Sequence, residues 1–131
     1  MSQKIVKTDA EWKALLTPEQ YKILRRHGTE ASCTSPLDKV YTDGTYHCAG
    51  CDLALFRSTT KFNSQTGWPS FYDPLPGATQ TTIDTSHFMT RTEVHCARCD
   101  GHLGHVFEDG PAPTGQRYCM NGVAMTFVPQ S

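Results

Sequence analysis

Two C-x-x-C pairs, Cys48-Ala-Gly-Cys51 and Cys96-Ala-Arg-Cys99, constrain this chain more than any other feature. Four thiolates at that local spacing are the ligand set of a closed tetrahedral zinc site. The 44 residues between the pairs exceed the roughly 15–20 of a zinc ribbon, so each pair needs its own hairpin and the fold must bring two distant knuckles together. The competing reading is a redox-active C-x-x-C. A site closed by four sulfurs has no open position, so its metal would hold the fold rather than activate water. The expectation is one structural Zn2+ per chain on Cys48, Cys51, Cys96 and Cys99.

Six cysteines also allow a disulfide framework, which needs an oxidising compartment. The opening Met-Ser-Gln-Lys-Ile-Val-Lys-Thr-Asp lacks the apolar stretch of a signal peptide, and no run approaches the ~20 apolar residues that span a bilayer. The expected location is the cytoplasm. A net charge of −1 gives no electrostatic footprint for nucleic acid or an anionic membrane, and neither is expected as a partner. At 131 residues the chain suits one domain, residues 1–131, with a helical segment over 1–28 packed on it.

Thr8 with Glu11, and Thr17 with Pro18 and Gln20, are capping patterns that start two short helices. Trp12, Leu15 and Leu16 form the docking stripe of the first; Tyr21 and Leu24 form that of the second. The second ends with Arg25, Arg26 and His27 in its last turn and Gly28 as cap. Residues 29–39 read as a loop containing Cys33. Val40-Tyr41-Thr42 and Thr45-Tyr46-His47 suggest a hairpin about Asp43-Gly44, and Leu53–Phe56 a strand beyond the first knuckle. Thr81–Asp84 and Phe88–Val94 read as strands about a Thr-Ser-His turn, and Arg117–Val128 as a closing strand. No repeats are apparent. The architecture expected is mainly antiparallel β with an N-terminal helical pair.

Cys33 and Cys119 lie outside the two knuckles. Strand alternation puts Arg117, Cys119 and Asn121 on one face, with Tyr118, Met120 and Gly122 on the other. Cys119 is then either a small buried hydrophobe or a nucleophile whose thiolate is favoured by the neighbouring guanidinium and amide. His102 and His105 are satisfied structural groups or proton donors. A zinc-ribbon binding module, a thioredoxin-like oxidoreductase using a C-x-x-C, and a zinc hydrolase are the alternative classes; four cysteine ligands deny the hydrolase its open position.

Gly67-Trp-Pro-Ser-Phe71, Gly101-His-Leu-Gly-His-Val-Phe107 with Asp109-Gly-Pro111, and Arg117-Tyr-Cys-Met-Asn121 resemble the motifs of the type B methionine-R-sulfoxide reductases, over roughly residues 9–129. The resemblance implies two small antiparallel sheets with peripheral helices. It implies Cys119 as nucleophile, Trp68 as platform for the substrate methyl group, and His102, His105, Arg117 and Asn121 shaping and polarising the site, with Phe107 lining it. Substrate would be the R epimer of methionine sulfoxide in oxidised proteins or peptides, and thioredoxin the reductant of a monomeric enzyme that repairs proteins in oxidative stress. Each sulfoxide epimer has its own enzyme. Many family members carry a resolving cysteine just before Gly67, where this chain has Thr66. Cys33 is the remaining candidate to resolve Cys119; its alternative is a loop thiol without a role.

Overall fold

The computed structural model describes residues 5–26, 28–30, 35, 37, 40–85 and 90–129. Both N-terminal helices begin at reciprocal caps. In α1 (Asp9–Leu15) the Thr8 hydroxyl accepts the Glu11 amide at 3.2 Å and the Glu11 carboxylate accepts the Thr8 amide at 2.8 Å. In α2 (Pro18–Arg26) Thr17 and Gln20 repeat the exchange at 3.1 and 3.0 Å. Each exchange satisfies two backbone donors that a helix start leaves open. Gly28 closes α2 by donating its amide to the Lys22 carbonyl at 2.9 Å, and a Cβ there would meet that oxygen. His27 lies outside the described residues.

The buried stripe is narrower than the sequence suggests. Trp12, Leu16, Ile23 and Leu24 are buried, whereas Leu15 is 56% exposed. Tyr21 instead packs between the helices, its hydroxyl donating to the Asp9 carboxylate. The helices dock on the second knuckle: the Arg25 guanidinium lies 4.5 Å above the Trp12 ring and donates to the Cys99 carbonyl at 2.7 Å. No described helix is long and apolar enough to cross a membrane.

The rest is antiparallel β in two sheets, as expected. The smaller has the order β2–β1–β9, with β1 Gly44–Cys48, β2 Ala54–Arg57 and β9 Met125–Pro129. The larger has the order β3–β4–β8–β7–β6–β5. Its strands are β3 (Lys61–Phe62), β4 (Ser70–Phe71), β5 (Thr79–Asp84), β6 (Arg91–Cys96), β7 (His102–Phe107) and β8 (Arg117–Met120). Phe88 and Met89, expected in the sixth strand, lie outside the described residues, as do Ser86 and His87 of the turn before it. An aromatic layer joins the sheets: Phe56 stacks on Phe71 at 4.3 Å, Tyr46 meets Phe71 edge-on at 5.0 Å, and Tyr118 meets Phe56 at 5.9 Å. Such pairs add about 0.5–1.5 kcal/mol each beyond burial of the rings.

Two expectations fail. No hairpin turns at Asp43-Gly44; Gly44 is already in β1, opposite Pro129. A Cβ there would lie 2.4 Å from the Val128 carbonyl oxygen and 2.6 Å from the Phe127 ring, so this glycine permits close approach of β9 instead of a turn. Arg117–Val128 is not one strand but two, β8 and β9 in different sheets, joined by a short 3-10 turn at Gly122–Ala124. Gly122 is pressed against Ser35, leaving no room for a side chain.

Candidate active site and metal centre

Each knuckle hangs between antiparallel strands, Cys48 and Cys96 ending β1 and β6, Cys51 and Cys99 preceding β2 and β7. Asp52 and Asp100 follow the second cysteine of each in the left-handed region, φ 65° and 61°. Their amides return to the Cys48 and Cys96 carbonyls at 2.8 and 2.9 Å. The two knuckles are therefore one local design written twice, as His47-Cys-Ala-Gly-Cys-Asp52 and His95-Cys-Ala-Arg-Cys-Asp100, a repeat absent from the sequence expectation.

All four thiols are free and their sulfurs lie within 4.8 Å of one another. Across the knuckles, Cys48 and Cys99 sulfurs stand 3.7 Å apart and Cys51 and Cys96 sulfurs 3.5 Å apart. A tetrahedral ion with metal–sulfur bonds of about 2.3 Å has sulfur–sulfur edges of about 3.8 Å. The residues fit a structural metal. The Gly50 amide points at the Cys48 sulfur at 3.4 Å, a donor that favours the thiolate.

Within the larger sheet, strand register sets a second group. Ser70, Cys119, His105, Glu93 and Thr82 stand opposite one another in a single row across β4, β8, β7, β6 and β5. The alternation expected of β8 holds: Tyr118 and Met120 are buried, while Arg117, Cys119 and Asn121 line a cavity of about 300 Å3. Trp68, His105, Phe107, Arg91 and Thr66 also face it. Of the residues singled out in the sequence, His102 does not line this cavity. It is buried behind the wall, its ring 5.5 Å from that of His105.

The side chains are tightly held. Thr66 places its hydroxyl 3.9 Å from the Cys119 sulfur. Arg117 forms a bidentate pair with Asp109 at 2.8 and 3.1 Å and stacks on Phe107 at 4.4 Å. Burial pushes the Cys119 thiol up; the Thr66 hydroxyl, the Arg117 charge and Ser70 pull the other way without overcoming it. The Arg117 charge thus favours the thiolate, as expected from the sequence, but burial holds the thiol above its ordinary value. Burial pushes the His105 imidazole down, against the pull of its hydrogen bond to the Asp84 carboxylate, which favours the neutral ring. Its Nε2 lies 2.9 Å from an Asp84 carboxylate oxygen. With Nε2–H donating there, Nδ1 is the acceptor.

Asn121 has both ends of its amide engaged by backbone, Nδ2 donating to the Leu103 carbonyl at 3.0 Å and Oδ1 accepting the Glu30 amide at 2.9 Å. The Glu30 carbonyl in turn accepts the Trp68 indole N–H at 3.0 Å, and its carboxylate accepts the Val123 amide at 2.9 Å. Asn121 thereby fixes the strap that fixes Trp68. Glu30, Asp84 and Glu93 are the residues that sequence reasoning missed. No local motif marks them, because they reach the site through strand register or from a loop. Cys33 lies outside the described residues.

A family model described as the SelR domain matches residues 16–129. The chain is 57% identical over 98% of both chains to a protein of Pseudomonas syringae pv. syringae named peptide methionine sulfoxide reductase MsrB. It is 55% identical to a protein of that name from Agrobacterium fabrum, over 98% of this chain and 96% of the other, and 52% identical to one from Leptospira interrogans, over 97% and 98%. Among solved structures, the Mis18 'Yippee-like' domain aligns with TM-score 0.55 at 15% identity, covering 69% of this chain and 99% of the other, which shows a shared fold alone.

Proposed function

The chain belongs to the SelR-domain family, and from that premise we propose that it is a peptide-methionine (R)-S-oxide reductase working as one monomeric catalytic unit with Cys119 as nucleophile. The observation that carries the reading is the placement of Cys119, among described residues, in a cavity with an indole on one side and a neutral imidazole in register beside it. Trp68 and Phe107 offer apolar surface to the methyl and side-chain carbons, and the polar row serves the oxygen.

The thiol proton and the neutral His105 are a matched pair for this step. As Cys119 sulfur attacks the sulfoxide sulfur, Nδ1 of His105 takes the thiol proton and delivers it to the departing oxygen. The protonated oxygen then passes from the substrate sulfur to the Cys119 sulfur as the new sulfur–sulfur bond and the substrate's sulfur–oxygen bond break, so that methionine leaves reduced by two electrons and Cys119 becomes a sulfenic acid that carries the oxygen and the proton. No proton is consumed from solvent, so a resting thiol above neutral pKa is suited to the task. Positioned proton transfer supplies about 10²–10⁴-fold. Asp84 holds His105 in the tautomer that leaves Nδ1 open.

Cys33 then attacks the sulfenic sulfur, forming a Cys33–Cys119 disulfide and releasing water; thioredoxin, a dithiol, reopens it. Thr66 at the position before Gly67 supplies a hydroxyl and no thiol. Support for Cys33 comes from its described flanks: Thr29 lines the cavity and Ser35 packs against Gly122, three residues beyond Cys119. The metal on the four knuckle cysteines is zinc and structural, and the expected site of action is the cytoplasm.

The test is one turnover followed by peptide mapping. The parent should show a Cys33–Cys119 disulfide after reducing methionine-R-sulfoxide. Cys33→Ser should still reduce one equivalent, keep a trappable sulfenic acid on Cys119, and fail to recycle with thioredoxin. Thioredoxin-supported turnover indifferent to Cys33→Ser would instead mean that the reductant attacks Cys119 directly.

Trp68→Ala should remove about 1.5–3 kcal/mol of apolar contact, roughly a 10- to 150-fold fall in kcat/KM expressed mainly in KM. Unchanged KM for a sulfoxide peptide would move the methyl site elsewhere.

A further inference from the structure

Glu93 lies outside the cavity wall, yet its carboxylate accepts three side-chain hydrogen bonds. Its carboxylate is 6% exposed on β6. Oε2 accepts from His102 Nδ1 at 2.8 Å; Oε1 accepts from His95 Nδ1 at 3.0 Å and from the Thr82 hydroxyl at 2.8 Å. Burial would push this carboxyl up, but the hydrogen bonds from His102, Thr82 and His95 outweigh it and hold it down at about 2, so it stays an acceptor throughout the neutral range. Donors converge on both oxygens, which only an ionised carboxylate can accommodate.

This geometry fixes where His102 carries a hydrogen. Facing Glu93, its Nδ1 must carry hydrogen, and the ring cannot rotate without leaving a buried carboxylate short of a donor. The held ring meets His105 edge to face at 5.5 Å. His105 is itself directly opposite Glu93 in the sheet and directly opposite Cys119 on its other side. Asp84 fixes one edge of the His105 ring; His102 supplies the packing partner.

We propose that Glu93 is a positioning residue for sulfoxide reduction, holding the Nδ1–H edge of His102 so that His102 in turn holds the His105 ring in line with Cys119. The proposal rests on the reading of Cys119 and His105 as the reacting pair. Glu93 touches neither substrate nor sulfur and acts through His102 alone. A carboxylate that merely braced the sheet would affect stability and leave the chemical step untouched.

Glu93→Gln and Glu93→Asp separate these roles. A glutamine has one acceptor oxygen and one donor nitrogen, so a donor must face a donor at one of the two imidazoles. In the zinc-loaded protein, Glu93→Gln should slow single-turnover reduction of a methionine-R-sulfoxide peptide by up to about 10²-fold, the cost of a small misplacement. KM should stay within about twofold, since no substrate contact is lost. Glu93→Asp, which keeps the carboxylate, should recover much of the rate. Imidazole nitrogen chemical shifts of the parent should show a hydrogen on Nδ1 of His102, and Glu93→Gln should alter that pattern. A parental single-turnover rate in Glu93→Gln, or an Nε2–H tautomer at His102 in the parent, overturns the proposal; the second measurement decides even if Glu93→Gln does not fold. A parent that reduces no sulfoxide at all sinks the reductase reading itself, whereas an active parent with an indifferent Glu93 sinks this inference only.

Discussion

Cys119→Ser is expected to reduce methionine-R-sulfoxide at a rate lower by roughly 10⁴-fold or more, the scale on which removal of a covalent nucleophile is felt. A serine oxygen cannot take up the oxygen of the sulfoxide and be restored by a thiol, so nothing in the cavity replaces the lost step. The fold should survive. Cys119 is only partly buried, its strand neighbours Tyr118 and Met120 carry the core contacts, and the change from sulfur to oxygen is small. Single-turnover kinetics alongside a melting curve separate the effects: activity should vanish while the thermal midpoint moves by only a few degrees. His105→Ala keeps the thiol but loses the proton carrier, and a smaller loss, about 10²-fold or more, should appear in the chemical step. Equal losses in the two variants would mean that the imidazole does more than move a proton.

Removing the metal should have the largest effect on stability. Structural zinc contributes an apparent ~10–16 kcal/mol in small peptides, comparable to the whole ~5–15 kcal/mol stability of an ordinary domain. Here the ring contacts among Tyr46, Phe56, Phe71 and Tyr118 need no metal and retain part of the fold, which offsets some of the loss. The two helices do not share that protection, since Arg25 is bonded to the Cys99 carbonyl and the Gly101 position packs against Leu24. Cys51→Ser should therefore release the metal and lower the melting temperature by about 10 °C or more, taking a loss of at least several kcal/mol at a few degrees each. Metal analysis and calorimetry on the same sample provide the check. One tightly held ion at an unchanged midpoint would refute the four-cysteine ligand set.

What could be read in the sequence was what is local in the chain. The reciprocal caps at Thr8 and Thr17 are complete within three residues and formed as expected. So did the alternation of Arg117, Tyr118, Cys119 and Met120, because the period of a strand is fixed by its pleat. The cysteine clusters were legible for the same reason, although their shared His-Cys-Ala-x-Cys-Asp design passed as two separate motifs. Local signals misled where tertiary contacts overrode them. Asp43-Gly44 has turn chemistry, but its glycine serves the close approach of β9, and Leu15 sits on the helix turn that faces solvent. Asp84, Glu93 and Glu30 had no signal at all. An acidic residue in a strand of threonines looks like a solvated face until sheet register puts it under two histidines. The cavity wall was similarly half visible: Trp68 stood in a motif, but its anchor, the Glu30 carbonyl, lies 38 residues away.

The most direct measurement offers the R and S epimers of one methionine-sulfoxide peptide, separately, to the zinc-loaded parent and to Cys119→Ser with excess dithiothreitol, and follows loss of the peptide's oxygen by mass. The account predicts that the parent converts the R epimer to the methionine peptide and leaves the S epimer intact, and that Cys119→Ser converts neither. Equal rates for the two epimers, or unimpaired conversion by Cys119→Ser, would contradict it.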